Sequence, residues 1–337
     1  MSPARFQAIT SRYALLRVAV IGDFCLDRYF EIEPARQETS IETGLPVHNI
    51  TNVRCQPGGA GTILNNLAAL GIGAIYPVGF CGDDGEGFEL ERALRARAAV
   101  IMDHFVRTPE RRTFTYTKPL VMHRGRAPEE LSRLDIKNWS ATPLKLQKQL
   151  AEAAVAALQS ANAAILLDQV DVPETGVITN SLLKMLGGSA ALMLADSRRG
   201  LRDFPPAVFK MNRAEFCALT GAQSEISLEQ LEEKALALAR KNKQPVFITL
   251  SEQGILGAAP SGEVAHAAAL PVRGEIDIVG AGDAVSANLT AALAAGASLS
   301  EAMTLANAAA SIVIHQLGTT GTANVEQLKA ICLDKSV

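Results

Sequence analysis

The sequence lacks an excess of either charge. Its 32 Lys and Arg stand against 35 Asp and Glu, a net charge of −3. Nothing in that balance steers the chain to nucleic acid or to an anionic membrane surface. Long apolar runs are also missing. None reaches 18 residues, and the Ala-rich C-terminal region is broken by Asn288, Thr290, Ser298, Glu301 and Asn307, so no helical membrane span is expected. The opening MSPARFQAITSRYALL has no continuous apolar core of the secretory kind. The five cysteines (Cys25, Cys55, Cys81, Cys217, Cys332) form no CxxC pair, and the five histidines form no HxxxH or HExxH pattern. Reduced thiols in a cytoplasmic protein are expected, without a disulfide frame or a zinc site. Two phosphate-binding patterns are absent as well. No Gly-Lys dipeptide occurs, which removes a Walker A loop. GGAG (58–61) and GIG (71–73) lack the third glycine of a dinucleotide fingerprint.

What is present is an alternation. Short runs apolar on both faces occur at 16–21, 74–78, 163–167, 191–195, 207–210 and 246–250, as in a parallel sheet covered by helices. Helical periodicity falls between them, at 62–70, 86–97, 145–160, 176–186, 213–220 and 227–242. The expected fold is α/β, doubly wound, with a mostly parallel central sheet and helices on both faces. A single domain over 1–337 fits the length. Segments 28–56 and 105–125 break the alternation and read as extended, so they are assigned to a small β-strand lid. Asp23, Asp168, Asp196, Asn212 and Ser251 fall at or just past strand C-termini. In open parallel sheets that edge holds the ligand crevice, although such residues also start turns and cap helices.

DIVGAGDAV (277–285) carries the most chemistry. Val285, Leu289, Ala292 and Leu293 recur at helical spacing after it. Gly280, Ala281 and Gly282 therefore form a bend that enters a helix N-terminus. Bare backbone there can approach an anion closely, and the N–H groups and helix dipole favour phosphate charge. Asp283 fits two roles. It is placed to take a proton from a hydroxyl that attacks a phosphoryl group, or it caps the helix. Spacing alone does not choose.

Four stretches resemble the ribokinase-like, or PfkB, sugar kinases, in that family's order and over almost the whole chain. They are DIVGAGD (277–283), PGGAGTILNNLAALG (57–71), KMNRAEF (210–216) and ANAAASIVIHQLGTTG (306–321). VAVIGDFCLDRYF (18–30), SIETGLPVHNI (40–50) and LSRLDI (131–136) resemble the kinase domain of bacterial heptose-7-phosphate kinases. The nucleotidyltransferase domain that often follows in that group is not expected within these 337 residues.

The resemblance implies a ribokinase-like fold and an ATP-dependent sugar kinase using Mg²⁺, and in many members potassium. It implies Asp283 as general base, with Gly280, Ala281 and Gly282 as the anion hole. Asp27, Gly58, Gly59, Thr62 and Asn66 would contact the sugar. Asn212 and Glu215 would orient Mg²⁺ through water, and with it the ATP phosphates. Thr249, Ser251 and Gly254 would line the triphosphate, and Asn307 would lie near the adenine. Asp277 would help hold the monovalent cation. A homodimer through the lid is seen in several relatives. Plainer roles stay open: Asn212 and Glu215 as a helix cap and first-turn acid, Gly58–Gly59 as a turn, Asp27 as a surface acid, Asn307 as a polar-face residue. Arg111 and Arg112 are candidates to meet a substrate phosphate.

The chain departs from the family pattern at Thr62 (usually Asn), Ser251 (usually Gly), Ala284 (usually Thr) and 168–176, where DQVDVPETG lacks the expected Lys and Gly. The acceptor therefore stays open among heptose 7-phosphate, another sugar and a nucleoside. So does a non-catalytic sensor of sugar or nucleotide.

Overall fold

The computed structural model describes residues 1–126, 128–187, 191–223 and 225–333; the end of the expected domain span, 334–337, lies outside the described residues. The main sheet has nine strands. Their order is Val264–Ala267, Ile255–Ala258, Val246–Thr249, Val208–Asn212, Leu192–Ser197, Ala163–Asp168, Arg17–Gly22, Ala74–Gly82 and Phe105–Thr108. Pairing is parallel from Val246–Thr249 through Phe105–Thr108 and antiparallel for the remaining two strands.

Burial explains the sheet. Ala163–Asp168 is buried at every position. Alternate residues serve two cores: Val18, Val20, Ile165 and Leu167 face one side, while Ala19, Ile21, Ala164 and Leu166 face the other. The first face is covered by helices Ala60–Ala69, Ala281–Ala294 and Leu299–Ile314, the second by Leu144–Ser160, Asn180–Leu186 and Leu228–Asn242. Strands covered on both faces read as continuous apolar runs because neither side meets water.

A second sheet lies across the C-terminal edge of the first. Its order is Leu134–Ile136, Phe114–Val121, Phe24–Ile32 and Ile50–Gly59, with Glu129–Glu130 paired to Phe114–Val121. Only Asp23 separates the end of Arg17–Gly22 from the start of Phe24–Ile32. The chain thus passes straight from one sheet to the other, and the crevice between them begins at that residue.

The structure redraws several expected boundaries. Phe105–Thr108, assigned to the lid, pairs in parallel with Ala74–Gly82 in the main sheet. The second sheet begins at Phe24 rather than 28, ends at Gly59 rather than 56, and takes in 129–136. The hairpin Ile255–Ala258/Val264–Ala267 was not expected; its four-residue strands, with Gly257 and three alanines, carry little β-branched signal. The helix expected from 176 starts at Asn180. Thr179 caps it through Leu182 N, and Val177 N is held by Asp23 Oδ1 at 2.7 Å.

Among the described residues, Glu174, Lys243 and Ser251 are non-glycine residues with positive φ. Ser251, exposed in the bend after Val246–Thr249, has φ +53°. For a residue with a Cβ that conformation costs roughly 1–2 kcal/mol, more than the roughly 0.4–1 kcal/mol that glycine gives up through the unfolded chain. Ser251→Gly is expected to raise the thermal midpoint by about 1–3 °C. A lowered midpoint in calorimetry would refute the strain.

Candidate functional site

A cavity of about 450 Å³ opens where the two sheets meet. Asp283, Gly280, Gly282, Asp27, Gly59 and Thr62 border it, together with Asn212, Glu215 and Lys210. Residues far apart in sequence therefore share one crevice, because the parallel strands all end on that edge.

Gly280 has φ +83° and turns the chain into helix Ala281–Ala294. Ala281 N–H is directed at Ile278 O, 3.2 Å away, so Ala281 is a poorer donor than the sequence implies. The N–H groups of Gly280, Gly282 and Asp283 have no partner among the described residues. Unpaired N–H groups at a helix start, with the dipole behind them, favour an anion.

Asp283 is half-buried and its carboxylate makes no hydrogen bond among the described residues. It does not cap the helix. Burial first, and the Asp196 carboxylate second, push its carboxyl up to about 7, with Lys210 pulling the other way. An unbonded carboxylate poised near neutrality beside free N–H groups is suited to accept a proton.

Asp27 is buried, not a surface acid. Burial pushes it up to about 6, opposed by Lys118 and Arg133. Gly58 and Gly59 are more than a turn. A Cβ on Gly58 would lie 2.5 Å from Asp27 Oδ2 and 2.7 Å from Cys25 Sγ. Gly59, at φ +57°, would meet Asp23 O at 2.5 Å. Asn66 is fully buried outside the cavity lining. Its Nδ2 donates to Thr62 O at 3.0 Å and Gly321 O at 3.4 Å, so it ties a helix to the C-terminal loop.

Asn212 and Glu215 form a reciprocal cap: Glu215 N donates to Asn212 Oδ1 (2.9 Å) and Asn212 N to Glu215 Oε2 (2.8 Å). Capping fixes both side chains at the cavity wall, and Glu215 Oε1 and Asn212 Nδ2 have no partner among the described residues. Burial raises the Glu215 carboxyl above its usual range. Among the described residues no group of three or more His, Cys, Asp or Glu side chains is arranged to hold a metal. The free Glu215 oxygen fits a hydrated Mg²⁺ carried mainly by phosphates. Asp277 receives Val279 N at 3.0 Å and Gly318 N at 3.3 Å. Each oxygen keeps acceptor capacity, which fits a monovalent cation as well as the bracing of two loops.

Thr249, Ser251, Gly254 and Asn307 stand outside this cavity. Asn307 donates to Ala267 O and Ala268 O, pinning its helix to the strand end. Arg111 donates to Ser140 Oγ and Ala141 O, and Arg112 faces Asp84 and Glu86; neither borders the cavity. The sequence reading passed over Lys118, Arg133, Arg198 and Lys210, which do. For Lys210 a signal existed: a lysine inside the apolar strand VFKMN.

The model of the pfkB family carbohydrate kinases matches residues 16–326. The chain belongs to that family. As a pfkB family kinase it is a phosphotransferase, and kinases of this family use ATP. It is 32% identical over 329 residues to the bifunctional protein HldE of Coxiella burnetii, covering 95% of this chain and 64% of that protein. The pfkB chain thus spans a little under two thirds of the curated relative. Among solved structures it resembles Arabidopsis thaliana ribokinase complexed with ribose and ATP (TM-score 0.69, 18% identity, 95% and 99% of the two chains covered). It also resembles Escherichia coli phosphofructokinase-2 in complex with potassium (TM-score 0.70, 20% identity, 94% and 98%). At those identities the likeness concerns the fold. Among the described residues no helix is long and apolar enough to cross a membrane.

The Asp283 shift has a thermodynamic consequence. The folded chain keeps this proton to about pH 7, whereas an unfolded aspartate releases it near about pH 4. Stability therefore falls as pH rises across that window. Asp283→Asn removes the cost, so its thermal midpoint should exceed the wild type's at pH 8, with the gap closing toward pH 4. Equal midpoints at pH 8 would contradict the environment described.

Proposed function

We propose that this protein transfers the γ-phosphoryl group of Mg-ATP to a hydroxyl of a sugar or sugar phosphate in the cytoplasm. The observation that carries the reading is one crevice holding unpaired helix N–H groups and an unbonded carboxylate poised near neutrality. The N–H groups of Gly280, Gly282 and Asp283 receive the charge on the phosphoryl oxygens. Preorganised donors of this kind contribute roughly 3–4 kcal/mol each when removed singly from comparable sites. Asp283 accepts the proton of the acceptor hydroxyl as the new O–P bond forms and the bond to ADP breaks.

Asp27, rigidly placed by the Gly58 approach, accepts hydrogen bonds from sugar hydroxyls, with Gly59 and Thr62 beside it. Glu215 and Asn212 would hold the hydration shell of Mg²⁺, which would supply positive charge against the ATP phosphates. Thr249, Ser251 and Gly254 line the path of the triphosphate. Asn307 acts on the nucleotide side through the strand end it pins. Asp277 would hold a potassium ion, lowering the charge behind the bend. The second sheet serves as a lid over the acceptor, excluding water that would otherwise take the phosphoryl group. Its outer face is a candidate surface for a homodimer.

Heptose 7-phosphate is the first acceptor to test, with fructose phosphates, ribose and nucleosides beside it. ADP release with one of them establishes the kinase and its substrate. Binding without ADP release for any of them would replace this reading with a sensor. With the acceptor found, Asp283→Asn should lower kcat about 10²–10⁴-fold and leave Mg-ATP binding within a few fold. In the wild type, kcat/KM should rise with pH through about 7, where Asp283 loses its proton. An undiminished kcat in the variant would remove Asp283 from the role of base.

A further inference from the structure

Lys210 lies on strand Val208–Asn212 and is 6% exposed. Its Nζ donates to Asp196 Oδ2 at 2.7 Å. The same oxygen accepts Ser286 Oγ at 2.9 Å, and that hydroxyl also lies 3.1 Å from Gly282 O. Ser286 sits one turn into helix Ala281–Ala294, so the lysine, the aspartate and the helix start are fastened together. An ammonium carries three N–H donors. Asp196 takes one, and no second acceptor for Nζ occurs among the described residues. Lys210 borders the cavity. A Cβ on Gly282 would lie 3.2 Å from Nζ, so the spare donors stand beside the Gly282 bend.

A nearly buried cation with unused donors is costly unless an anion satisfies them. Stability alone does not call for it, since an apolar side chain of similar volume would fill the strand position without a counter-charge. Asp196 and Ser286 hold the ammonium at the helix N-terminus, on the wall of the same cavity that Gly280, Gly282 and Asp283 border.

We propose that Lys210 is a catalytic residue that donates to the oxygens of the phosphoryl group in transfer, with Asp196 and Ser286 as the residues that position it. This rests on the kinase reading above. In the step, the acceptor oxygen bonds to phosphorus and the bond from phosphorus to the β-phosphate oxygen breaks. The electron pair leaves with ADP, and the acceptor proton passes to Asp283. Lys210 stays protonated throughout and balances charge spread over the three oxygens in flight.

The test is Mg-ATP and Mg-ADP affinity by calorimetry, in the full chain. Removing Lys210 alone strands the Asp196 carboxylate and risks misfolding, so the informative variant is Lys210→Met with Asp196→Asn, with Lys210→Arg as the charge-retaining control. The double variant should bind Mg-ATP at least about tenfold more weakly than wild type and Mg-ADP within about twofold, because only ATP carries the group that Lys210 meets. Lys210→Arg should retain the preference for ATP. Unchanged Mg-ATP affinity in the double variant, or equal weakening of both nucleotides, overturns the role of Lys210 and leaves the kinase reading standing. A wild-type chain that binds neither nucleotide overturns both.

Discussion

The N-terminus of helix Ala281–Ala294 places two demands in conflict. Its first N–H groups must stay unpaired to receive an anion, yet the same turn carries Asp283, whose charge repels one. Much of the surrounding structure can be understood as holding that arrangement. Gly280 reaches φ +83° and swings the chain into the helix without a side chain in the way. The Ala residues behind, such as Ala284, Ala287, Ala291 and Ala292, are buried to within the last per cent and let the helix pack closely on sheet and neighbour. Ser286 then fastens the first turn to Asp196. Such close packing turns a helix terminus, which ordinarily frays, into a fixed set of donors.

Three carboxyls at this sheet edge sit well above the usual range, for different reasons of geometry. Burial pushes Asp23 up to about 7, yet it accepts Gln169 N and Val177 N and so ties the loop after Ala163–Asp168. Asp27 is pushed up to about 6 by burial, opposed by Lys118 on the neighbouring strand and by Arg133. Asp283 reaches about 7 with no hydrogen bond among the described residues. A raised carboxyl whose oxygens are already engaged is a structural element; one left unbonded beside empty donors is a reagent in waiting. The distinction comes from partners, not from the size of the shift.

Much of the fold was legible in the sequence because its physics is local. Runs apolar on both faces mark covered parallel strands, and Asn212 with Glu215 three residues on spells a helix start that the structure reproduces residue for residue. The GAGD bend was legible for the same reason: a positive φ, bare backbone and the following helical period all lie within a dozen residues. Phe105–Thr108 was misassigned because its neighbour, Ala74–Gly82, is distant in sequence, and an extended run does not announce which sheet it joins. The resemblance implies ligand contacts for Asn66 and Asn307; what no local pattern shows is that Asn66 also donates to Gly321 O and Asn307 to Ala267 O. The Lys210–Asp196 pair joins two adjacent strands 14 residues apart in sequence, a register that exists only once the sheet is formed.

The two sheets are coupled on the side where the cavity opens. Gln56, directly across the strand pair from Asp27, exchanges hydrogen bonds with Thr319 and Thr320. Arg54, paired with Glu31, reaches the Gly318 carbonyl. Gly318 N is in turn bonded to Asp277, whose other oxygen holds Val279 N just before the bend. A chain of polar contacts therefore runs from strand Ile50–Gly59 to the backbone of the Gly280 bend. Movement of the second sheet cannot leave that loop untouched, because Gln56 and Arg54 would have to release it. If Asp27 meets the acceptor and the bend meets the phosphoryl group, as proposed above, the two stand in one connected frame of polar contacts.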